Sequence, residues 1–282
     1  MSANADGSAK KSRKSKRRKP TQAEVADRHA LYERAVQDPT TDAATLGKLY
    51  RKVRKKAAVS LREDFCGTAT LATAWIKGSK KRTAVGVDLD RPTLDWGIEH
   101  NLGGLSSADA QRITLYEANV LDGKGAKADL TCALNFSYCC LKTRPLLLAY
   151  FKAVRKSLKK DGLFIMDVLG GSETMGPDEN RHNLGEFVYR WKQHFFDPLT
   201  HEMRCSISFY FDDGSKLAPA FEYEWRLWTM PELCDVLEEA GFSKVHRMWE
   251  KTDKKGNHTG EFFEPKRVEN QESWWTYLIA ER

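Results

Sequence analysis

Between residues 57 and 170, short apolar runs alternate with stretches of helical period. Residues 59–61, 83–87, 113–116, 130–134 and 163–168 are rich in branched and apolar side chains and read as strands. Between them, residues 68–77, 92–101 and 143–158 repeat apolar positions at intervals of three and four, the spacing of a helix face. Lys160-Asp161-Gly162 stops the last of these helices. Strands and helices in this alternation predict a parallel, doubly wound sheet. From 187 to 228 the period changes to two. Phe187, Tyr189 and Trp191 alternate with other residues, as do Met203, Cys205, Ile207 and Phe209, and then Phe221, Tyr223, Trp225 and Leu227. Asp197-Pro198 and Asp212-Asp213-Gly214 separate these runs as turns, which predicts an antiparallel meander inserted after the fifth strand. Thr229 then caps a helix through Ala240, Gly241 stops it, and strands follow at 245–249 and 273–280. The polar residues 251–272 join them as a loop or hairpin.

Ahead of the sheet, residues 21–56 predict two cap helices. Thr21 and Glu24 form a capping box, and Val25, Leu31, Tyr32 and Val36 give the first helix its apolar face. Asp38-Pro39 ends it, and Thr41-Asp42 opens the second through Leu46, Leu49 and Tyr50. Residues 1–20, mostly Ser, Lys, Arg, Ala and Gly, show no apolar period and are expected to be a disordered tail.

Charge matters only once it is located. The first 20 residues carry eight basic side chains and one acid, which is the whole net charge of +7; the rest holds 38 of each sign. A neutral body has no basic excess for tracking phosphates, so nucleic acid enters as a partner only through non-specific contact of residues 10–19, or a nuclear address there in a eukaryote. No apolar run approaches the roughly 20 residues of a membrane span, and no apolar segment follows the basic run as in a secretory signal, so a cytoplasmic location is expected. The six cysteines form no C-x-x-C and no zinc-ligand spacing, which points to free thiols and no metal.

Candidate chemistry gathers on one edge. Glu63-Asp64-Phe65-Cys66-Gly67-Thr68-Ala69 lies where the first strand turns into its helix, the ligand crevice of a doubly wound sheet. Asp88, twenty-one residues past Gly67, ends the second strand, where an acid can bond both hydroxyls of a ribose. Asn119 ends the third strand, and Asn135-Phe136-Ser137-Tyr138 the fourth. A dinucleotide would want G-x-G-x-x-G, but Phe65, Gly67 and Thr70 occupy those positions, and the acid Glu63 repels phosphate while it suits an α-amino group. A ligand with a ribose, an amino acid and no phosphate fits: S-adenosylmethionine.

At these residues the chain resembles the class I S-adenosylmethionine-dependent methyltransferases of the small-molecule type. Glu63-x-Phe65-Cys66-Gly67-Thr68-Ala69 resembles their acid-x-Gly-Cys-Gly-Thr-Gly motif, with Phe65 and Ala69 in place of glycines. The resemblance implies that Glu63, Cys66 and Gly67 hold the methionine end, Asp88 the ribose, Leu89 the adenine face, and Asn119-Val120 the adenine amino group. Residues 158–162 and the helix from Thr229 to Phe242 are similar to further family segments, and the likeness runs over about 57–282. It implies a seven-stranded Rossmann-like sheet, with the meander (187–228) and the helix bearing Leu31-Tyr32-Glu33 covering the pocket.

The sequence therefore predicts methyl transfer to nitrogen or oxygen of a small organic acceptor. Asn135 and Tyr138 stand nearest the reaction as the catalytic candidates, and Tyr32, Glu224 and Trp228 as acceptor contacts. Against the acceptor role, Glu222, Glu224 and Arg226 read more readily as a solvent-facing ladder, and Trp225 and Trp228 more readily as core. Two alternatives stay open: an RNA or protein methyltransferase docking through the basic tail, and a nicotinamide-dependent oxidoreductase. The acceptor and the oligomeric state are not legible.

Overall fold

A computed structural model describes residues 18–282; most of the basic tail, including 10–17, lies outside the described residues. The chain opens with three helices: α1 (Gln22–Val25), α2 (Arg28–Val36) and α3 (Pro39–Arg54). The capping box at Thr21 forms, with Glu24 Oε2 accepting the Thr21 amide at 2.7 Å, but its helix lasts one turn. Asp27 ends the single helix expected here, because its Oδ1 accepts the amides of His29 (2.8 Å) and Ala30 (3.1 Å) and so starts a new one. Asp38-Pro39 likewise begins a helix rather than ending one: Asp38 caps the Thr41 amide at 3.1 Å, and Pro39 takes the first position, where a missing N–H costs nothing.

The sheet strands are β1 (Ser60–Asp64), β2 (Thr83–Asp88), β3 (Ile113–Glu117), β4 (Ala128–Ala133) and β5 (Leu158–Gly170). They alternate with α4 (Thr70–Lys77), α5 (Arg91–Gly97), the short α6 (Ser107–Ala110) and α7 (Arg144–Ser157). After β5 comes an antiparallel sheet of β6 (Asp178–Asn183), β7 (Phe187–Phe196), β8 (Glu202–Phe211) and β9 (Lys216–Arg226). Then follow α8 (Met230–Glu239), β10 (Lys244–Arg247), the hairpin β11 (Trp249–Thr252) and β12 (His258–Phe263), and β13 (Trp274–Glu281). The main sheet runs β3-β2-β1-β4-β5-β13-β10, with the first five strands parallel and β13 antiparallel to both its neighbours. The strand order reverses between β1 and β4, which opens a crevice at their carboxyl ends.

Both faces of this sheet are covered, so its central strands read as continuous apolar runs rather than alternations. On β5, Phe164, Met166 and Val168 face the core shared with α7 and α8, while Leu163 and Ile165 face the core under α3 and α4. A third, smaller core joins Leu31 of α2 to Phe187, Ile207 and Phe209 of the antiparallel sheet. That contact sets the N-terminal helices and the meander together over the carboxyl edge. The meander has one strand more than its apolar period predicts. Asp178–Asn183 is polar throughout and becomes β6 by pairing with β7, with Asn180 opposite Trp191 and His182 opposite Tyr189. An edge strand with no apolar face carries no periodic signal.

Candidate active site

The turn after β1 is held in an unusual shape. Phe65, Gly67 and Ala69 all adopt the left-handed conformation, with φ of 59°, 53° and 57°. Phe65 and Ala69 do so without glycine's freedom, at a cost of about 1–2 kcal/mol each, so the surrounding structure must fix the turn. Several bonds do. Asp88 Oδ2 accepts the Gly67 amide at 2.8 Å, while its Oδ1 accepts the Asp90 amide at 2.9 Å. Glu33 of α2 accepts from the Thr68 hydroxyl (2.5 Å) and from Asn101 Nδ2 (2.7 Å), which ties the cap to the loop. A Cβ on Gly97 would lie 2.2 Å from the Thr68 carbonyl oxygen, so only glycine lets α5 approach this closely. Below the turn, the Arg62 guanidinium and the Tyr150 hydroxyl both donate to Asp64, at 2.7 and 3.1 Å, and anchor the end of β1.

Above this edge lie two adjoining chambers. The first, of about 490 Å³, is walled by Glu63, Cys66, Gly67 and Asp88 from the sheet, and by His29 and Tyr32 from α2. The second, of about 680 Å³, is roofed by one face of the antiparallel sheet: Asp178, Asn180 and His182 of β6, Tyr189 and Trp191 of β7, Tyr223 and Trp225 of β9. Tyr32, Phe65, Asp88, Asn135, Ser137 and Tyr223 line both, so the partition between the chambers lies at the ends of β1, β2 and β4.

Unpaired carboxyls dominate the electrostatics. Burial pushes Glu63 well above the usual carboxylate range; its one hydrogen bond, from the Ala72 amide at 3.2 Å, only partly offsets that, and Asp88 and Asp42 raise it further. Burial also lifts Asp42, in the first turn of α3, to about 6. Asp167 on β5 rises to about 7 for the same reason, against the pull of the Phe136 and Asn135 amides. The Cys66 thiol is likewise pushed up by burial, so it is no nucleophile. Of the three raised carboxyls only Glu63 lines a chamber. Arg28 of α2, which is exposed, also lines the first chamber, but the hydrogen bond Glu63 accepts comes from a backbone amide and not from a cation, which suits it to the cationic end of a ligand.

Glu63, Cys66, Gly67, Asp88, Tyr32 and Asn135 are thus brought together as the sequence predicts. Leu89 is two-thirds exposed and off the chamber walls. Asn119 and Val120 are off the walls too: Asn119 Oδ1 accepts the Leu121 amide at 3.0 Å, and Val120 is buried in the core. Three of the residues predicted for catalysis or acceptor binding do not reach a chamber either. Tyr138 is 1% exposed, its ring turned into the core by the short helical turn after Phe136. Trp228 is also 1% exposed; it lies past the end of β9, so strand parity does not carry to it, and the Arg226 guanidinium covers its ring at 3.8 Å. Glu224 points to solvent beside Lys142 (3.6 Å), as in the ladder reading. Period two separates the faces of β9 but not which of them meets the ligand. Over the second chamber it is the face of Tyr223 and Trp225, while the first chamber is lined by Phe221, Tyr223 and also Glu222. Asp178, half-buried on the second chamber's wall, was missed, as were Asp42 and Asp167, which line neither chamber and whose raised pKa values come from burial that no sequence pattern marks.

No protein-family model matches the chain, and no curated protein matches it. Solved structures do. An S-adenosylmethionine-dependent methyltransferase from Clostridium acetobutylicum superposes with a TM-score of 0.64 at 20% identity, over 89% of this chain and 96% of that one. The methyltransferase CcbJ from Streptomyces caelestis also gives 0.64, at 17% identity over 88% and 96%. The sugar N-methyltransferase KedS8 from a Streptoalloteichus species gives 0.60, at 15% identity over 96% and 98%. This is the class I methyltransferase fold. The class I fold, with the meander after its fifth strand, accounts for the sheet order and for the position of both chambers.

Proposed function

We propose that the protein is an S-adenosylmethionine-dependent methyltransferase acting on a nitrogen atom of a small organic acceptor. The observation that carries this reading is the pair of chambers sharing a partition at Asp88 and Asn135: one suits the donor, the other has room for a drug-sized acceptor. S-adenosylmethionine fits the first chamber's residues. Glu63, buried with a single backbone donor, lacks the cation that an α-ammonium would provide, and Asp88, fixed by two amides, keeps lone pairs for the ribose hydroxyls. Gly67 and Cys66 would flank the methionine end. Bound there, the cofactor supplies a methyl group already activated for displacement.

The remaining work belongs to the chain: aligning the acceptor, excluding water and receiving a proton. Nitrogen is favoured over oxygen by the second chamber's wall, which among the described residues carries Asp88, Glu173, Asp178 and His182 but neither Lys nor Arg. Tyr189, Trp191, Tyr223 and Trp225 add π faces suited to a cation, worth about 0.5–2 kcal/mol each. An amine drawn in as its ammonium must lose a proton before attack, and those carboxylates and His182 are the acceptors on that wall. The similar solved structures that are N-methyltransferases of a sugar and of a glycopeptide support the same class. A dinucleotide gains no support, because its phosphate would meet the uncompensated Glu63.

The test is incubation of metabolite, protein and nucleic-acid fractions with isotopically labelled methyl donor. Label is expected in a small amine. Label in RNA or protein, or no binding of S-adenosylmethionine by calorimetry, would overturn the proposal.

A further inference from the structure

Asp167, which no sequence motif singles out, grips the turn that divides the two chambers. It sits on β5 one residue past Met166, whose partner on β4 is Ala133, and opposite Tyr277 of β13. Its carboxylate is buried and accepts two successive amides: Asn135 N–H to Oδ2 at 2.6 Å and Phe136 N–H to Oδ1 at 3.0 Å. Asn135 and Phe136 are both left-handed, each with φ of 56°. Consecutive amides in such a conformation form a concave nest for an anion, and here the anion is a side chain of the protein itself.

What the nest holds is functional. Asn135 and Ser137 line both chambers, and Phe136 meets Trp225 of the roof edge-on at 6.5 Å. The Ser137 hydroxyl donates to the Leu134 carbonyl at 2.8 Å, so the turn is braced internally as well. We infer that Asp167 is a positioning residue for methyl transfer: its carboxylate sets the partition at Asn135 and Phe136, across which acceptor and donor must align. This inference rests on the methyltransferase reading for its catalytic consequence, but the clamp itself does not.

Burial brings Asp167 to about 7, so the clamp is fully charged only above neutral pH. The groups facing it do not reverse this. Asp42 of α3 raises it further, and the others around it are Cys132 of β4, Tyr138 and Cys139 of the turn, Tyr277 of β13 and Tyr32 of α2, none of them a cation. A protonated Asp167 keeps one good acceptor for two amides, and the turn slackens as pH falls through about 7.

The experiment uses the full chain and the variant Asp167→Asn, which keeps the shape but presents an NH₂ group to one of the two amides. Affinity for S-adenosylhomocysteine is measured by calorimetry. Turnover is measured with labelled methyl donor and the metabolite fraction that accepts label, from pH 6 to 9. Amide exchange over residues 134–138 is followed by mass spectrometry, corrected for the intrinsic pH dependence. Expected are a kcat lowered about 10–100-fold at pH 8 by loss of a charged hydrogen-bond acceptor, cofactor affinity within about twofold, loss of the kcat step near pH 7, and faster exchange of the two amides. In the wild-type protein alone, protection of this segment should be greater at pH 8 than at pH 6. Unchanged kcat and pH profile in the variant would overturn the positioning role. Protection that is equal at both pH values would overturn the clamp, even if the variant failed to fold. Should the wild-type protein not bind S-adenosylhomocysteine, the functional reading fails on its own, and the exchange data still decide the clamp.

Discussion

Cofactor binding should release a proton, and Glu63 is its source. In the free protein this carboxyl is buried beside Asp88, Asp42 and Asp64, has one backbone donor, and is held well above its ordinary pKa by that burial, so the fold favours its protonated form. A ligand ammonium favours the charged form, so binding lowers the pKa and expels the proton. The sign follows: affinity rises with pH, by up to about tenfold per unit while Glu63 of the free protein is protonated, and levels off above that pKa. The size of the contact is that of a charge-assisted hydrogen bond, about 1.5–3 kcal/mol. Glu63→Gln should then weaken S-adenosylmethionine about 10–150-fold and abolish the proton release. Calorimetry in two buffers of different ionisation enthalpy measures both quantities at once. Equal apparent enthalpies in the two buffers from pH 6 to 8, or a Glu63→Gln protein that binds as tightly as wild type, would refute the assignment of Glu63 to the ammonium.

Further outcomes are expected around the same site. Asp88→Ala should weaken S-adenosylmethionine by about 10–150-fold, as read by calorimetry, and affinity at the wild-type level would remove Asp88 from the ribose. Gly67→Ala has room for its methyl, the nearest atom being Thr93 Cγ2 at 3.9 Å, so it should cost only the left-handed backbone, about 1–2 kcal/mol, or a few degrees of Tm by calorimetric scan; a collapse of the fold would show that the turn has no such space. Trp225→Ala and Asp178→Asn should lower acceptor turnover while leaving cofactor affinity intact, whereas Glu224→Gln, on the solvent side, should change neither; an effect of Glu224→Gln would contradict the face assignment. Because the fold raises Asp167 to about 7, it favours the protonated form: the stability this provides is complete below the ordinary carboxylate pKa and is lost as pH rises through about 7. The Tm of the cofactor-free protein should therefore fall between pH 5 and 8, less steeply in Asp167→Asn, and parallel curves would count against the raised pKa.

The parallel strands, their crossover helices and the carboxyl-edge residues Glu63, Gly67, Asp88 and Asn135 were legible in the chain, because each depends on local signals. Strand runs, helix periods and the interval from the turn to the second strand's acid are all short-range, and a doubly wound sheet sends every such strand end to one edge. The left-handed turn persists at Phe65 and Ala69 although two motif glycines are gone, since bonds from Asp88 and Glu33 hold it from outside. What tertiary structure alone decided was orientation and burial. Period two put Trp225 and Glu224 on opposite faces of a strand, but only the packing of α2 against the meander determined which face roofs the chamber. Tyr138 and Trp228 follow the ends of regular elements, where the local turn, not parity, aims the side chain, and both went to the core. Asp27 and Asp38 could end or begin a helix equally well by sequence; their amide partners settled it. The polar β6 exists only through its pairing with β7, and Asp42 and Asp167 acquire their chemistry from desolvation. Desolvation is a property of what the rest of the chain packs around a residue, and no local pattern encodes it.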